Sequence, residues 1–156
     1  MSDDYEDLTT CSLTPELEAR LLHLQRECVF MWTNSDGEAF GVVMAVLPKD
    51  GRFWLTAAER RKRIAALRRF PRASLCFNST GTKMGPGKTI SYKGTCTVHS
   101  DRATKDWFYP EFSRWLHRDE SAAAEFQKFL DSPHRVIIEF VPDYSLSFDG
   151  ELMMQR

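Results

Sequence analysis

Residues 52–77 constrain the fold most, because they predict a strand, a short helix and a second strand in immediate succession. Residues 53–56 and 73–77 are apolar and aromatic in the manner of strands. Between them, Ile64 and Leu67 have the spacing of the inward face of a helix. Pro71 marks the turn into the second strand. The segment therefore predicts a chain that combines α and β structure.

The predicted helix is strongly basic and indicates an anion site. Seven of the 21 Lys and Arg residues lie between positions 60 and 72. Thr56 and Glu59 have the spacing of a capping box, so we expect the helix to begin between residues 56 and 60 with free N–H groups. Such a terminus binds phosphate, and Arg63 lies beside the inward face. The other basic residues of the helix are expected to face solvent: Arg61, Lys62, Arg68 and Arg69.

Length and charge exclude several classes of protein. A chain of 156 residues fits one domain with a substantial core, so we expect a flexible tail at residues 1–12 and a single domain at residues 13–156. A net charge of −1 argues against a nucleic-acid binder. The chain lacks the apolar run of a membrane span, and its acidic start is unlike a signal peptide. We therefore expect a cytoplasmic protein.

The cysteines and histidines do not indicate a metal site. The four cysteines include no Cys-x-x-Cys pair, and the four histidines show no metal-ligand spacing. Reduced thiols and the absence of a bound metal are therefore the expectation.

The remaining pattern is mostly that of short strands. Thr14 and Pro15 predict the start of a helix that reaches about residue 27. Strands are expected at residues 28–33 and 39–47, joined by a hairpin at Asp36-Gly37. A further strand is expected at residues 89–100, where Gly94 breaks the polar alternation as a bulge or barrel corner would.

The C-terminal third is predicted to be helical and then to return to strands. Residues 102–131 have helical spacing, and Pro110 is expected to begin a new helical segment. The aromatic residues Phe108, Phe112 and Trp115 either cover a barrel or form a wall beside a planar cofactor. Strands at residues 135–141 and 145–148 complete about seven, which predicts an α+β chain built on an antiparallel barrel.

Residues 40–100 resemble the flavin-binding split β-barrel family typified by pyridoxamine 5'-phosphate oxidase, which includes deazaflavin-dependent relatives. The resemblance is carried by Leu55-Thr56, the basic step at residues 61–63, Leu67 and the PRASL sequence at residues 71–75. It implies an antiparallel split β-barrel with flanking helices and a homodimer with cofactor sites at the subunit interface. It also implies flavin mononucleotide (FMN), or alternatively a deazaflavin, as the bound group.

The resemblance implies cofactor contacts by position. Arg63 matches the lysine that holds the cofactor phosphate, and Thr89 falls at a flavin-contacting glutamine. The strand ending in Thr56 lies near the cofactor in the family, and the backbone of residues 42–44 approaches the flavin ring. The implied cofactor-binding residues are Val42, Val43, Met44, Leu55, Thr56, Arg61, Lys62, Arg63, Lys88 and Thr89.

The sequence also departs from the oxidase. Phe40 and Ala45 stand where the oxidase has Arg and Lys, and its C-terminal Trp and Arg motif has no counterpart. Oxidation of pyridoxamine phosphate itself is therefore not expected. The leading hypothesis is a flavin-dependent oxidoreductase that exchanges hydride with a small planar or conjugated substrate, with no side chain assigned as acid or base. The alternative is a non-catalytic protein that binds or sequesters flavin or haem.

Overall fold

The computed structural model describes residue 4 and residues 6–155. Within these residues the chain forms five helices and seven strands. In chain order they are α1 (Pro15–Leu24), β1 (Glu27–Thr33), β2 (Ala39–Ala45), β3 (Leu47–Lys49), β4 (Arg52–Ala58), α2 (Lys62–Arg69), β5 (Arg72–Asn78), β6 (Lys88–His99), α3 (Arg102–Leu116), α4 (Glu120–Leu130), β7 (Arg135–Asp149) and α5 (Gly150–Met154).

The strands form one curled antiparallel sheet in the order β2-β1-β5-β6-β7-β4-β3. The two outermost strands come from one bent segment, because only Val46 separates β2 from β3. β2 pairs with β1, whereas β3 pairs with β4. A segment that changes partners in this way curls the sheet towards closure. The α+β split barrel with flanking helices is therefore confirmed.

Two apolar clusters hold the fold together. Phe30, Leu55 and Phe140 belong to the cluster inside the curled sheet and are fully buried. Phe108 and Phe112 of α3 belong to a second cluster on the outer face, where they pack with buried residues of β3, β7 and α4. The aromatic residues of α3 thus cover the sheet, as the first interpretation of that helix predicted, in which these residues cover a barrel.

Several local predictions are confirmed. The Thr14 hydroxyl accepts a hydrogen bond from the Leu17 amide, with Pro15 in the first turn of α1. Gly37 adopts a φ of 79° in the β1–β2 turn, a conformation that suits glycine. The register of β6 shifts between Lys93 and Gly94, so the predicted bulge is present.

The predicted capping box at Thr56 and Glu59 is wrong. β4 continues to Ala58 and pairs with β7 from Phe53 to Ala58, so the helix begins only at Lys62. The Thr56 hydroxyl donates to the Val136 carbonyl at 2.8 Å. Glu59 forms an ion pair with Arg68 at 2.9 Å. Pairing between distant strands has overridden the local helix signal.

Other predicted boundaries are also wrong. Pro110 lies inside α3 and does not begin a new segment. The carbonyl that loses its helical partner belongs to exposed Asp106, where water can solvate it. The two C-terminal strands are one strand, β7, which bends where Pro142 pairs with Gly94. The single strand expected at residues 39–47 is divided at Val46 into β2 and β3.

The N-terminal segment is attached to the end of β7. The Leu13 amide donates to the Ser147 hydroxyl at 3.0 Å, and the Asp149 amide donates to the Cys11 carbonyl at 2.7 Å. Cys11 is buried, and all four cysteines are free thiols. The flexible tail was expected at residues 1–12, of which 1–3 and 5 lie outside the described residues. Among residues 4 and 6–155, no helix has the length and apolarity that a membrane span requires.

Candidate functional site

The start of α2 presents three adjacent cations. Arg61 and Lys62 are exposed, whereas Arg63 is half-buried. No carboxylate among the described residues lies within ion-pair distance of any of the three. The Nε of Arg63 is buried and has no hydrogen-bond partner in the described part of the chain. An unpaired buried donor is unfavourable by about 1–3 kcal/mol, more for a charged group. Arg63 therefore requires an acceptor that the chain itself does not provide.

The electrostatics at this position favour an anion. Burial, and secondly the charge of Arg61, lower the pKa of Arg63 below its ordinary value. The N-cap residue makes no side-chain hydrogen bond to the first turn, although the Ile64 amide donates to the Arg61 carbonyl at 2.9 Å. The amides of residues 62 and 63 are therefore not occupied by a capping side chain. A phosphate beside Arg63 would accept its Nε–H and would offset the repulsion between the two guanidinium groups.

A cleft lies between α2 and the β1–β2 hairpin, and we refer to it as the α2 cleft. Its volume is about 450 Å³, which is within the range of small-molecule sites. Trp32, Asp36 and Phe40 line it from the hairpin, and Lys62 and Arg69 line it from α2. The ring centroids of Trp32 and Phe40 are 5.6 Å apart, and Phe40 is 58% exposed. The cleft therefore combines an aromatic wall with cations.

The predicted positions on β2 and β4 lie along the opening of the barrel. Residues 39–45 of β2 pair on one side only, with β1, and residues 55–58 of β4 pair on one side only, with β7. Among the described strands, nothing pairs with their other edges. Backbone N–H and C=O groups on such edges are available to a ligand.

The side chains at these positions are less available than the backbone. Leu55 is fully buried in the core, and the Thr56 hydroxyl is occupied by Val136. Met44 is also buried, Val42 is half-buried, and Val43 is 64% exposed on the opposite face of β2. Any contact from residues 55 and 56 to a ligand would therefore come mainly from their main-chain atoms.

Within a single protomer, Lys88 and Thr89 do not lie next to α2. They begin β6 and pair with residues 149 and 148. Pro71, two residues after the end of α2, lies beside the other half of β6, where its carbonyl accepts a hydrogen bond from the Cys96 amide at 2.8 Å. Lys88 is 5% exposed, and its ammonium lies 3.5 Å from Asp149 and 3.1 Å from Glu151. Its charge is already compensated, so it has little to offer a phosphate.

Comparison with known proteins identifies the family. The family model described as pyridoxamine 5'-phosphate oxidase matches residues 13–145. The chain belongs to the pyridoxamine 5'-phosphate oxidase family. No curated protein matches the sequence at a significant level.

Solved structures share the fold of this family member. A conserved hypothetical protein, Rv2991 of Mycobacterium tuberculosis, is 15% identical with a TM-score of 0.78, over 95% of this chain and 91% of that one. An F420 reductase is 14% identical with a TM-score of 0.62, over 81% and 94%. A FAD-binding protein of Mesorhizobium loti is 16% identical with a TM-score of 0.62, over 87% and 94%.

Sequence reasoning missed part of the α2 cleft in this member of the oxidase family. Trp32, Asp36 and Arg69 line the cleft but carried no functional prediction, and Phe40 was noted only as a departure from the oxidase. The hairpin signal at residues 36–37 was the only available clue. It shows where β1 and β2 are joined, but the sheet order is also needed to tell which end of these strands faces α2.

Proposed function

We propose that the chain binds a phosphate-bearing flavin with its phosphate at the start of α2, beside Arg63, and uses it to exchange hydride with a small planar or conjugated substrate. FMN is the proposed cofactor, with a deazaflavin as the alternative. Membership of the oxidase family supports the proposal, and a FAD-binding protein and an F420 reductase have the same fold. The observation that carries it is the buried, unpaired Nε of Arg63 beside two free cations.

The chain's own groups fit such a cofactor. Arg63, Lys62 and the first amides of α2 would bind the phosphate by charge-assisted hydrogen bonds. The free edges of β2 and β4 offer backbone donors and acceptors to the polar rim of a flavin ring. A bound flavin supplies the hydride chemistry, so the protein's part is to orient it and to exclude water. No side chain is assigned a role as acid or base.

Phosphate dependence tests the proposed site directly. We expect FMN to bind at least about tenfold more tightly than riboflavin, because each charged hydrogen bond to phosphate contributes about 1.5–3 kcal/mol. Titration monitored by flavin fluorescence measures both dissociation constants, and a deazaflavin phosphate ester can be titrated in the same way. Equal affinities for FMN and riboflavin would show that α2 does not bind the phosphate.

A second candidate function is non-catalytic binding or sequestration of flavin or haem. It is favoured by Phe40 and Ala45, which replace the basic residues of the oxidase on β2. Reduction of bound flavin by NADH or NADPH, followed by turnover with a panel of electron acceptors, separates the two functions. Multiple turnovers support the oxidoreductase, whereas bound flavin that remains oxidised with every donor supports sequestration.

We further propose that the protein acts as a homodimer through the outer face of its sheet. Residues in direct register on adjacent strands share a face. One such row crosses five strands without interruption: Val43, Val29, Cys76, Ser91 and Leu146. Val43 is 64% exposed and Leu146 62%. The other three residues of the row are half-buried, and Ser91 is its one polar residue. A row with exposed apolar ends fits an interaction surface, and a second copy offers a matching one.

Leu146→Glu is expected to shift the protein from dimer to monomer. Each copy would bury one new carboxylate in the interface, and the two charges would repel each other across the two-fold axis. Sedimentation velocity measures the change in mass. Phe129→Glu provides a matched control, since Phe129 is 67% exposed on α4, away from this row. If the unmodified protein is monomeric, or if both variants remain dimeric, the proposed interface is incorrect.

A further inference from the structure

A second cleft lies at the opposite end of β4 from α2, and we refer to it as the tryptophan cleft. It is bounded by the β3–β4 turn and by α3, and its volume is about 550 Å³. Trp54 and Trp107 line it with their ring centroids 4.7 Å apart and their planes at 89°. Two perpendicular indoles form an aromatic corner that can contact a compact apolar group from two sides.

A buried carboxylate lies beside this corner. Glu139 lines the cleft, pairs with Trp54 across the sheet and is 8% exposed. It accepts hydrogen bonds from Arg52 and from His99, the latter at 3.0 Å. Burial raises the pKa of Glu139, but the hydrogen bonds from His99 and Arg52 outweigh it and hold the pKa below its ordinary value. Glu139 therefore remains ionised at neutral pH.

The charges that line the cleft do not balance. Lys49 is paired with Glu111 at 2.7 Å, and Arg52 is paired with Glu139. Asp50 also lines the cleft, and it has no ion-pair partner among the described residues. Three carboxylates thus face two cations, which leaves the cleft with one net negative charge.

The corner already accommodates a cation supplied by the chain. The ammonium of Lys49 lies 5.4 Å from the centroid of the Trp107 ring while it contacts Glu111. An indole face next to a carboxylate is the arrangement that binds ammonium groups through cation–π attraction. The placement of Lys49 shows that this arrangement is chemically suited to positive charge.

We propose that the tryptophan cleft binds an organic monocation with a compact apolar or aromatic head, such as a protonated aromatic amine or an alkylated ammonium. The two indoles contact the head, and the uncompensated carboxylate at Asp50 attracts the charge. An organic anion is disfavoured, because both lining cations are already paired and the uncompensated carboxylate of Asp50 would repel it. This site is separate from the α2 cleft and does not depend on flavin binding.

Three probes that share one ring separate the alternatives. Benzyltrimethylammonium, benzyl alcohol and benzoate carry a positive charge, no charge and a negative charge. We expect the cation to bind at least about tenfold more tightly than the alcohol at low salt, and benzoate to bind most weakly. Isothermal titration calorimetry measures all three. Failure of the cation to bind, or tighter binding of benzoate, would overturn the proposal.

Two variants locate the site. Asp50→Asn keeps the side-chain shape and suits the backbone φ of 52° at this turn, so the fold is expected to persist. It should weaken binding of benzyltrimethylammonium by about three- to tenfold at low salt. Trp107→Ala should weaken it by about tenfold or more.

Asp36→Asn is the matched control, because it removes the same charge from a turn that lines the α2 cleft. We expect it to leave binding of the cation unchanged. If Asp36→Asn weakens binding and Asp50→Asn does not, the cation binds in the α2 cleft and the proposal is wrong. FMN affinity measured on Asp50→Asn should equal that of the unmodified protein, which keeps this test distinct from that of the flavin site.

Discussion

Arg63→Ala is expected to weaken the affinity for FMN by about tenfold or more without loss of stability. The guanidinium is half-buried, its Nε has no partner, and no ion pair holds it. A charge-assisted hydrogen bond to phosphate contributes about 1.5–3 kcal/mol, which corresponds to a factor of about ten or more in the dissociation constant. The ligand-free protein loses no described hydrogen bond or ion pair, and an unpaired buried donor is removed, so its free energy of unfolding should not fall by more than about 1 kcal/mol.

Fluorescence titration measures the affinity, and urea denaturation measures the stability. Arg68→Ala is the matched control, because Arg68 lies on the same helix but is exposed and paired with Glu59. We expect that variant to bind FMN normally. Unchanged affinity in Arg63→Ala, or an equal loss in both variants, would remove Arg63 from the phosphate site. A large loss of stability in Arg63→Ala would indicate a structural role.

Gly94→Ala is expected to destabilise the fold by about 3 kcal/mol or more. A Cβ at this position would lie 2.2 Å from the carbonyl oxygen of Val141 and 2.9 Å from the ring of Phe140. A backbone carbonyl in the centre of a sheet cannot move aside without breaking the pairing of β6 with β7. For a chain of this size the loss corresponds to a fall in melting temperature of about 6–12 °C.

Gly37→Ala separates this steric effect from simple loss of a glycine. Gly37 has a φ of 79° and open space around its Cβ position, so alanine there brings only backbone strain of about 1 kcal/mol. Thermal unfolding followed by circular dichroism compares the two variants. A fall for Gly94→Ala no larger than that for Gly37→Ala would mean that β7 can shift away from β6.

Features that depend on neighbouring residues could be predicted from the sequence. The cap at Thr14, the turn at Gly37 and the bulge at Gly94 each follow from the conformational preference of one or two residues. The half-burial of Arg63 followed from helical periodicity in the same way. The family resemblance then specified a split barrel with flanking helices, which local patterns had predicted only as an antiparallel barrel.

Features that depend on distant residues could not be predicted. Thr56 matched a capping box, but its hydroxyl binds a carbonyl 80 residues away. Lys88 was implied as a cofactor-binding residue, yet its ammonium is paired with Asp149 and Glu151, which lie on β7 and α5. No periodicity indicates such pairings, because they are set by the order of strands in the sheet. The residues that line the α2 cleft and the tryptophan cleft could not be predicted for the same reason.

The position of β7 has a consequence for synthesis of the protein on the ribosome. β7 lies between β6 and β4 in the sheet, although it is the last strand in the chain. Until residues 135–149 emerge, β3 and β4 have no strand that connects them to β6, and β4 and β6 each expose an unpaired edge. Between the synthesis of β6 and that of β7, the nascent chain therefore carries two unpaired strand edges that can pair with other chains. Chaperones that shield exposed strands would matter most in that interval.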